Sequence, residues 1–150
     1  DKETIFWDLY SGVGLFGISF ADQVRQVVMI EEGIESTRLA HFNVKYHELQ
    51  NVEIRAGKVE DEFPKKITEP EGKRNIALVN PPRSGLSPKA LGVFADQKMF
   101  EQFFYLSCQS ESLLRDLKVF CSHGWKIRQV IPFDFFPKTR HLEVLALLEP

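Results

Sequence analysis

The run Ile5-Phe6-Trp7-Asp8-Leu9-Tyr10 has the length and character of a buried strand, and it passes at once into Ser11-Gly12-Val13-Gly14-Leu15-Phe16-Gly17. A strand that feeds a helix through a glycine turn is the opening unit of an α/β sheet, because glycine lets the backbone turn tightly and approach a ligand closely. The rest of the chain keeps the pattern, with short apolar runs alternating with longer amphipathic ones. The first helix is expected to carry Ile18, Phe20 and Val24. A second strand is expected over Gln26 to Ile30, then a helix from Ile34 to Tyr46 with Ile34, Leu39 and Phe42 as its inner face. Val52 to Ala56 alternates as a third strand, and Asp61 to Lys73 reads as a charged, proline-bearing loop with one helical turn. Asn75 to Val79 is a fourth strand, and Lys89 to Phe100 a helix. Phe103 to Leu106 is a fifth strand, and Glu111 to Phe120 a helix that closes near Gly124.

Trp125 to Phe133 and Glu143 to Leu148 complete about seven strands. No helix separates these two, so they are expected to pair antiparallel as a hairpin around Pro137. The fold class is therefore α/β, a seven-stranded, mostly parallel sheet with a C-terminal antiparallel hairpin. Ligands of such sheets bind beyond the carboxyl ends of the strands. Tyr10 to Gly14, Glu31, Asn80 to Arg83 and Cys108 all stand near expected strand ends.

Length and charge limit the alternatives. One hundred and fifty residues suit a single domain, 1–150, and most of the thirteen Phe are expected in its core. The net charge of −2 lacks the basic excess of a free-standing RNA-binding domain, so phosphate contacts would need a local basic patch or another segment. Cys108 and Cys121 make neither a C-x-x-C metal site nor a disulfide framework, and no metal site is expected. Nothing resembles a signal peptide or a membrane span, which makes a cytoplasmic location the default. The chain opens at Asp1 and enters a strand immediately, and we expect it to be the C-terminal part of a longer protein.

The glycine turn at Gly12 and Gly14, followed by an acidic residue at Glu31, has the spacing of a nucleotide or nucleoside cofactor site. There the carboxylate would accept ribose hydroxyls. Asn80-Pro81-Pro82-Arg83 argues against hydride chemistry: each proline fixes its own φ and restricts its predecessor, giving a rigid wall suited to a planar group. Each signal has a plainer reading. Glycine turns also serve packing, a double proline also makes an ordinary loop, and a lone Cys is more often an inert buried thiol.

Four segments in order resemble the RNA uracil-5-methyltransferases, which make 5-methyluridine in tRNA and rRNA. They are Trp7 to Gly17, Val79 to Gly85, Leu106-Ser107-Cys108, and Phe133 to Val144, and they cover the chain from end to end. The strand ending in Ser-Cys and the Phe-Asp-x-Phe-Pro-x-Thr-x-His-x-Glu run are the specific ones. The resemblance implies a class I, Rossmann-like, S-adenosylmethionine-dependent methyltransferase fold. It makes Cys108 the nucleophile and Glu143 the general base. It also places Tyr10, Glu31 and Asn80 around S-adenosylmethionine, with Gly12 and Gly14 in the same turn. Arg83 would either hold the uracil or a phosphate or anchor its own loop. His141 and Asp134 would shape the site, and Phe135 and Phe136 would either stack on a flipped base or pack a turn. Cys121 reads as structural.

Val-Asn-Pro-Pro-Arg, with Trp-Asp-Leu and Gly-Val-Gly, resembles the branch that acts on bacterial 23S rRNA. RNA, most of all 23S rRNA, is therefore the expected partner, with tRNA as the alternative. No membrane and no protein partner is expected. The family commonly has Asp at Asn80, Cys at Ser11, Asn at Gln109, and in some members an acidic residue at Lys58. An iron–sulfur cluster, carried by the rRNA branch on four cysteines, would belong to a preceding segment. Two other readings share the fold. Amino-methylating enzymes also use Asn-Pro-Pro but need no Cys. A non-catalytic RNA-binding domain would accord with Gln109 and the acidic net charge.

The chemistry explains the residue types. Carbon 5 of uracil is a poor nucleophile until a thiolate adds to carbon 6, and a base must later take the carbon 5 proton. The thiolate is the reactive form of Cys, and a helix N-terminus following Cys108 would favour it. Both groups can reach a uracil only after it leaves its stack.

Overall fold

The computed structural model describes residues 2–66, 74–96, 99–135, 137–139 and 142–150. Its elements are β1 (Thr4–Leu9), α1 (Leu15–Phe20), β2 (Gln26–Glu31), α2 (Ile34–Tyr46), β3 (Val52–Ala56), α3 (Val59–Glu62), a 3-10 turn (Phe63–Lys66), β4 (Arg74–Val79), α4 (Pro88–Asp96), β5 (Gln102–Ser107), α5 (Ser110–Ser122), β6 (Lys126–Phe133) and β7 (Glu143–Glu149). The hydrogen-bonded strand order is β3-β2-β1-β4-β5-β7-β6. This is the expected seven-stranded α/β sheet, with β7 antiparallel to both β5 and β6. The chain divides into two compact units, Asp1–Ala77 and Leu78–Pro150.

In the first unit β1 is buried along its whole length and pairs parallel with β2, which pairs parallel with β3. Burial on both faces is why these strands read as continuous apolar runs. Trp7 donates its indole N–H to Asn75 Oδ1 at 3.0 Å and meets Phe63 edge-on at 5.1 Å, with the Arg55 guanidinium 5.3 Å from its ring centroid. Phe63 comes from the segment expected to be a charged loop. It is fully buried, and two short helical turns, α3 and the 3-10 turn, carry the chain there.

Two expectations fail in this unit. The first helix stops at Phe20, where Ala21 N–H turns back to Ile18 O at 3.3 Å, so Val24 lies beyond it, though still buried. On α2 the inner face is Thr37 and Ala40, whereas Ile34 is 83% exposed, Phe42 62% and Leu39 41%. Small residues let this helix lie close, and Thr37 Oγ1 hydrogen-bonds Glu31 O at 3.3 Å. Phe42 instead stacks outside on Tyr46 at 6.1 Å.

In the second unit Phe103 of β5 lies at the centre of an aromatic cluster, 5.0 Å from Phe120, 5.7 Å from Phe94 and Phe100, and 5.8 Å from Trp125. Trp125 donates its indole N–H to Ala95 O at 2.9 Å. Helix α4 begins one residue earlier than expected because Ser87 caps it, Ala90 N–H donating to Ser87 Oγ at 3.1 Å, and Pro88 fills the first turn, where no donor is needed. Met99 and Phe100, at the end of the expected helix, are not helical. Strand β6 is mostly exposed. Its pairing with β7 shifts between Ile127 and Gln129, and such a bulge, with Lys126, Arg128 and Pro132, guards an edge against further strand pairing.

Asp8 is fully buried in β1, with Oδ2 accepting Gly17 N–H at 2.7 Å. Burial pushes its carboxyl up from 3.8 to about 7. The Gly17 hydrogen bond opposes the rise, and the Glu31 charge adds to it.

Two outcomes are expected. Phe103→Ala removes the ring on which four others pack and costs about 3–5 kcal/mol in urea unfolding. Asp8 holds a proton in the fold that the unfolded chain has already released, so its contribution to stability falls as pH rises from 3.8 to about 7 and is constant above. Asp8→Asn abolishes that loss. Its stability relative to wild type should therefore climb across this window and then level off, by no more than about 4 kcal/mol. A difference that does not change with pH would show that Asp8 is ionised throughout.

Candidate functional site

The glycine turn of the first unit is built on two carboxylates and one thioether. Tyr10, directly after β1, has φ +61°, uncommon for a bulky residue, and Gly12 and Gly14 follow at +56° and +92°. Ser11 N–H bonds Ile30 O at 3.1 Å, and Gly14 N–H bonds Ser11 O at 2.9 Å. A Cβ on Gly14 would stand 2.5 Å from Met29 Cε, and one on Gly17 2.9 Å from Met29 Cγ, so the turn and the start of α1 rest on Met29. Asp8, through Gly17, anchors the same turn from below.

Glu31 is the last residue of β2, with Oε2 accepting Gly12 N–H at 2.9 Å and Oε1 accepting Gly33 N–H at 2.7 Å. Two backbone donors thus fix the carboxylate's plane, and each oxygen keeps a lone pair for a further donor. A Cβ on Gly12 would meet nothing within 4 Å, which leaves open space beside this carboxylate. A held carboxylate beside open backbone fits a ribose diol. Asp8 Oδ1 and Ser11 Oγ are buried without a hydrogen-bond partner, further polar capacity in the same turn.

In the second unit Asn80 follows β4, and both Asn80 and Arg83 are exposed. The segment folds back through Gly85, whose N–H bonds Pro82 O at 2.8 Å at φ +77°. Cys108 is half-buried, one residue past β5 and two before the start of α5. Ser107 fixes its turn: Ser107 Oγ accepts Gln109 N–H at 3.1 Å and donates to Gln109 O at 3.0 Å, and Ser112 Oγ donates to the same carbonyl at 3.0 Å. The Gln109 side chain donates to Glu111. Glu143 opens β7, opposite Phe133 of β6. The β5–β7 register ends at Ser107 opposite Val144, so the chain neighbours of Cys108 and Glu143 face each other across the strand pair. Antiparallel pairing therefore brings the chain segments that carry a thiol and a carboxylate to the same end of one strand pair, although they are far apart in sequence.

Phe135 is 62% exposed and stacks on Phe133 with ring centroids 5.4 Å apart. Asp134 is exposed, Cys121 lies exposed on α5, and Lys58 precedes α3. Phe136 and His141 lie outside the described residues. Sequence reasoning passed over Asp8, Ser107, Tyr105 and Asp116. Asp8 is an acidic residue inside an otherwise apolar run, a signal that was available, whereas Asp116 stands between Arg115 and Lys118 and reads as part of a solvated helix face. Among the described residues, no cluster of His, Cys, Asp and Glu could hold a metal, and no helix is long and apolar enough to cross a membrane.

Comparison with known proteins fits these features. An uncharacterized RNA methyltransferase of Caldanaerobacter subterraneus subsp. tengcongensis is 40% identical over 148 residues, 99% of this chain and 32% of the relative. The chain thus spans about a third of the length of the curated relatives it matches. A Pyrococcus abyssi tRNA (uracil-54, C5)-methyltransferase, solved with S-adenosyl-L-homocysteine, superposes with a TM-score of 0.78 at 28% identity, over 95% of this chain and 33% of that one. An rRNA methylase of Streptococcus thermophilus shares the fold, with a TM-score of 0.73 at 14% identity, over 99% of this chain and 87% of that one. The family model for tRNA (uracil-5-)-methyltransferases matches residues 1–150, and the chain belongs to that family.

Proposed function

We propose that this chain is the catalytic domain, 1–150, of a longer enzyme that methylates carbon 5 of a uridine in RNA. The observation that carries the reading is the β5–β7 register, in which Ser107 and Val144, the chain neighbours of Cys108 and Glu143, stand opposite each other. A reaction needing one nucleophile and one base on the same ring needs just such a pair.

S-adenosylmethionine, when bound, supplies an electrophilic methyl group. We assign it to Tyr10, Gly12, Gly14 and Glu31, with Glu31 accepting the ribose hydroxyls through its free lone pairs. Support comes from the carboxylate's two backbone donors and from S-adenosyl-L-homocysteine in the P. abyssi relative. The family motif also gives Asn80 a hydrogen-bonding role toward the cofactor. An amide there both donates and accepts, where the family's usual carboxylate only accepts.

The Cys108 thiolate adds to carbon 6 of the flipped uracil, and the displaced π electrons make carbon 5 nucleophilic. Once carbon 5 has taken the methyl group, with S-adenosyl-L-homocysteine as the leaving group, it carries both that methyl and its proton. Glu143 removes the proton, the electron pair re-forms the 5–6 double bond, and the Cys108 thiolate is expelled. Arg83, exposed beside the double proline, holds the uracil or a neighbouring phosphate. The exposed Phe135 face offers a stacking surface for a base.

The substrate we favour is 23S rRNA, on the strength of Val79-Asn80-Pro81-Pro82-Arg83. A tRNA substrate is the second reading, supported by the likeness to the P. abyssi tRNA enzyme. An iron–sulfur cluster has no ligand set among the described residues of this chain.

The test uses 5-fluorouridine-substituted 23S rRNA fragments and tRNA with S-adenosylmethionine. Fluorine is not lost as a proton, so wild type should stall as a covalent RNA adduct visible by mass. Cys108→Ala should give no adduct and no 5-methyluridine. Glu143→Gln, with ordinary uridine RNA, should accumulate the methylated adduct and lower turnover by about 100-fold or more. Full turnover by Cys108→Ala, or a methyl group on nitrogen, would refute the mechanism. The RNA that forms the adduct identifies the substrate class.

A further inference from the structure

We propose that Asp116 is a positioning residue for this reaction: with Tyr105 and Arg115 it locks the Asn80–Leu86 segment to the strand and the helix that flank Cys108. The inference rests on the uridine-methylation reading above.

Asp116 is fully buried in α5. Its Oδ2 accepts the Tyr105 phenol at 2.6 Å and Leu86 N–H at 2.9 Å. Its Oδ1 accepts Arg115 Nε at 2.8 Å and an Arg115 Nη at 2.6 Å. The same guanidinium donates to Ser84 O at 3.0 Å and Leu86 O at 3.2 Å. Gly85 makes the approach feasible. At φ +77° any Cβ would stand 2.6 Å from Asp116 Oδ2 and 2.7 Å from the Arg115 guanidinium. Burial above all, then the Asp116 carboxylate, raises the Tyr105 phenol above its ordinary range, so it remains a donor.

Placement separates this cluster from ordinary core packing. Tyr105 lies on β5 three residues before Cys108, and Asp116 lies on α5 eight residues after it. The carboxylate therefore grips both arms of the turn that presents the thiol, together with the segment that carries Asn80 and Arg83. Stability does not demand a charge here, because apolar residues of similar volume often replace a buried ionic cluster at no cost. A directional cluster fixes geometry instead, and misplacement of reacting groups by about 1 Å can cost about 100-fold in rate.

The experiment compares Tyr105→Phe and Asp116→Asn with wild type in the full-length protein, well below the melting temperature of each. Tyr105→Phe keeps the ring and loses one oxygen, so it remains informative should Asp116→Asn fail to fold. We expect kcat to fall about 10-fold in Tyr105→Phe and about 100-fold in Asp116→Asn, with KM for RNA and for S-adenosylmethionine within about twofold. Amide exchange should quicken selectively over residues 80–86. Unchanged exchange there would overturn the lock. Faster exchange with unchanged kcat, or a rise in KM alone, would overturn the positioning role and leave a merely structural cluster. Failure of the parent reading is recognised separately, as a wild type that makes no 5-methyluridine, and would remove this proposal with it.

Discussion

A parallel strand buried on both faces can carry polar chemistry only where it ends, and this constraint organises the molecule. β1 is buried from Thr4 to Leu9, so the chain turns polar and irregular directly after it, at Tyr10 to Gly14. β2 is likewise buried along its middle and turns polar at Glu31, its last residue. Backbone N–H groups in the turns and the helix start that follow these strands hold two carboxylates. Gly12 and Gly33 hold Glu31, and Gly17 holds Asp8.

The two carboxylates of the glycine turn divide the labour by solvation. Glu31 is half-buried, takes two backbone donors and keeps lone pairs for a ligand. Asp8 is fully buried, takes one donor and holds its proton up to about pH 7. One remains open to a further donor and the other is a strut, and the difference lies in burial rather than in residue type. Met29 completes the support, since only glycine at positions 14 and 17 lets the turn settle on its side chain.

In the second unit the antiparallel insertion of β7 matters most. β5 neighbours β4 in the strand order, and β7 then pairs with β5 from the other side. That reversal lets the start of β7 stand level with the end of β5, which a parallel pair would not do. Ser107 and Ser112, by fastening Gln109, hold the intervening turn in one conformation. Buried hydroxyls at a strand-to-helix junction satisfy backbone groups that neither element can satisfy itself.

The sequence by itself determined the class of fold. Strand-length apolar runs, glycines after the first of them and an unaided connection between the last two encode a parallel sheet closed by a hairpin, because local periodicity and turn chemistry act over a few residues. Helix faces were less legible. Ile34, Leu39 and Phe42 are apolar yet exposed, because the small Thr37 and Ala40 decide how closely α2 lies, and periodicity does not report closeness. Only the tertiary structure decided which distant residues meet. The pairing of Ser107 with Val144, and the convergence of Tyr105, Arg115 and Leu86 on Asp116, depend on strand register and on donors far apart in the chain. Spacing along a sequence carries no information about such encounters until the strands have paired.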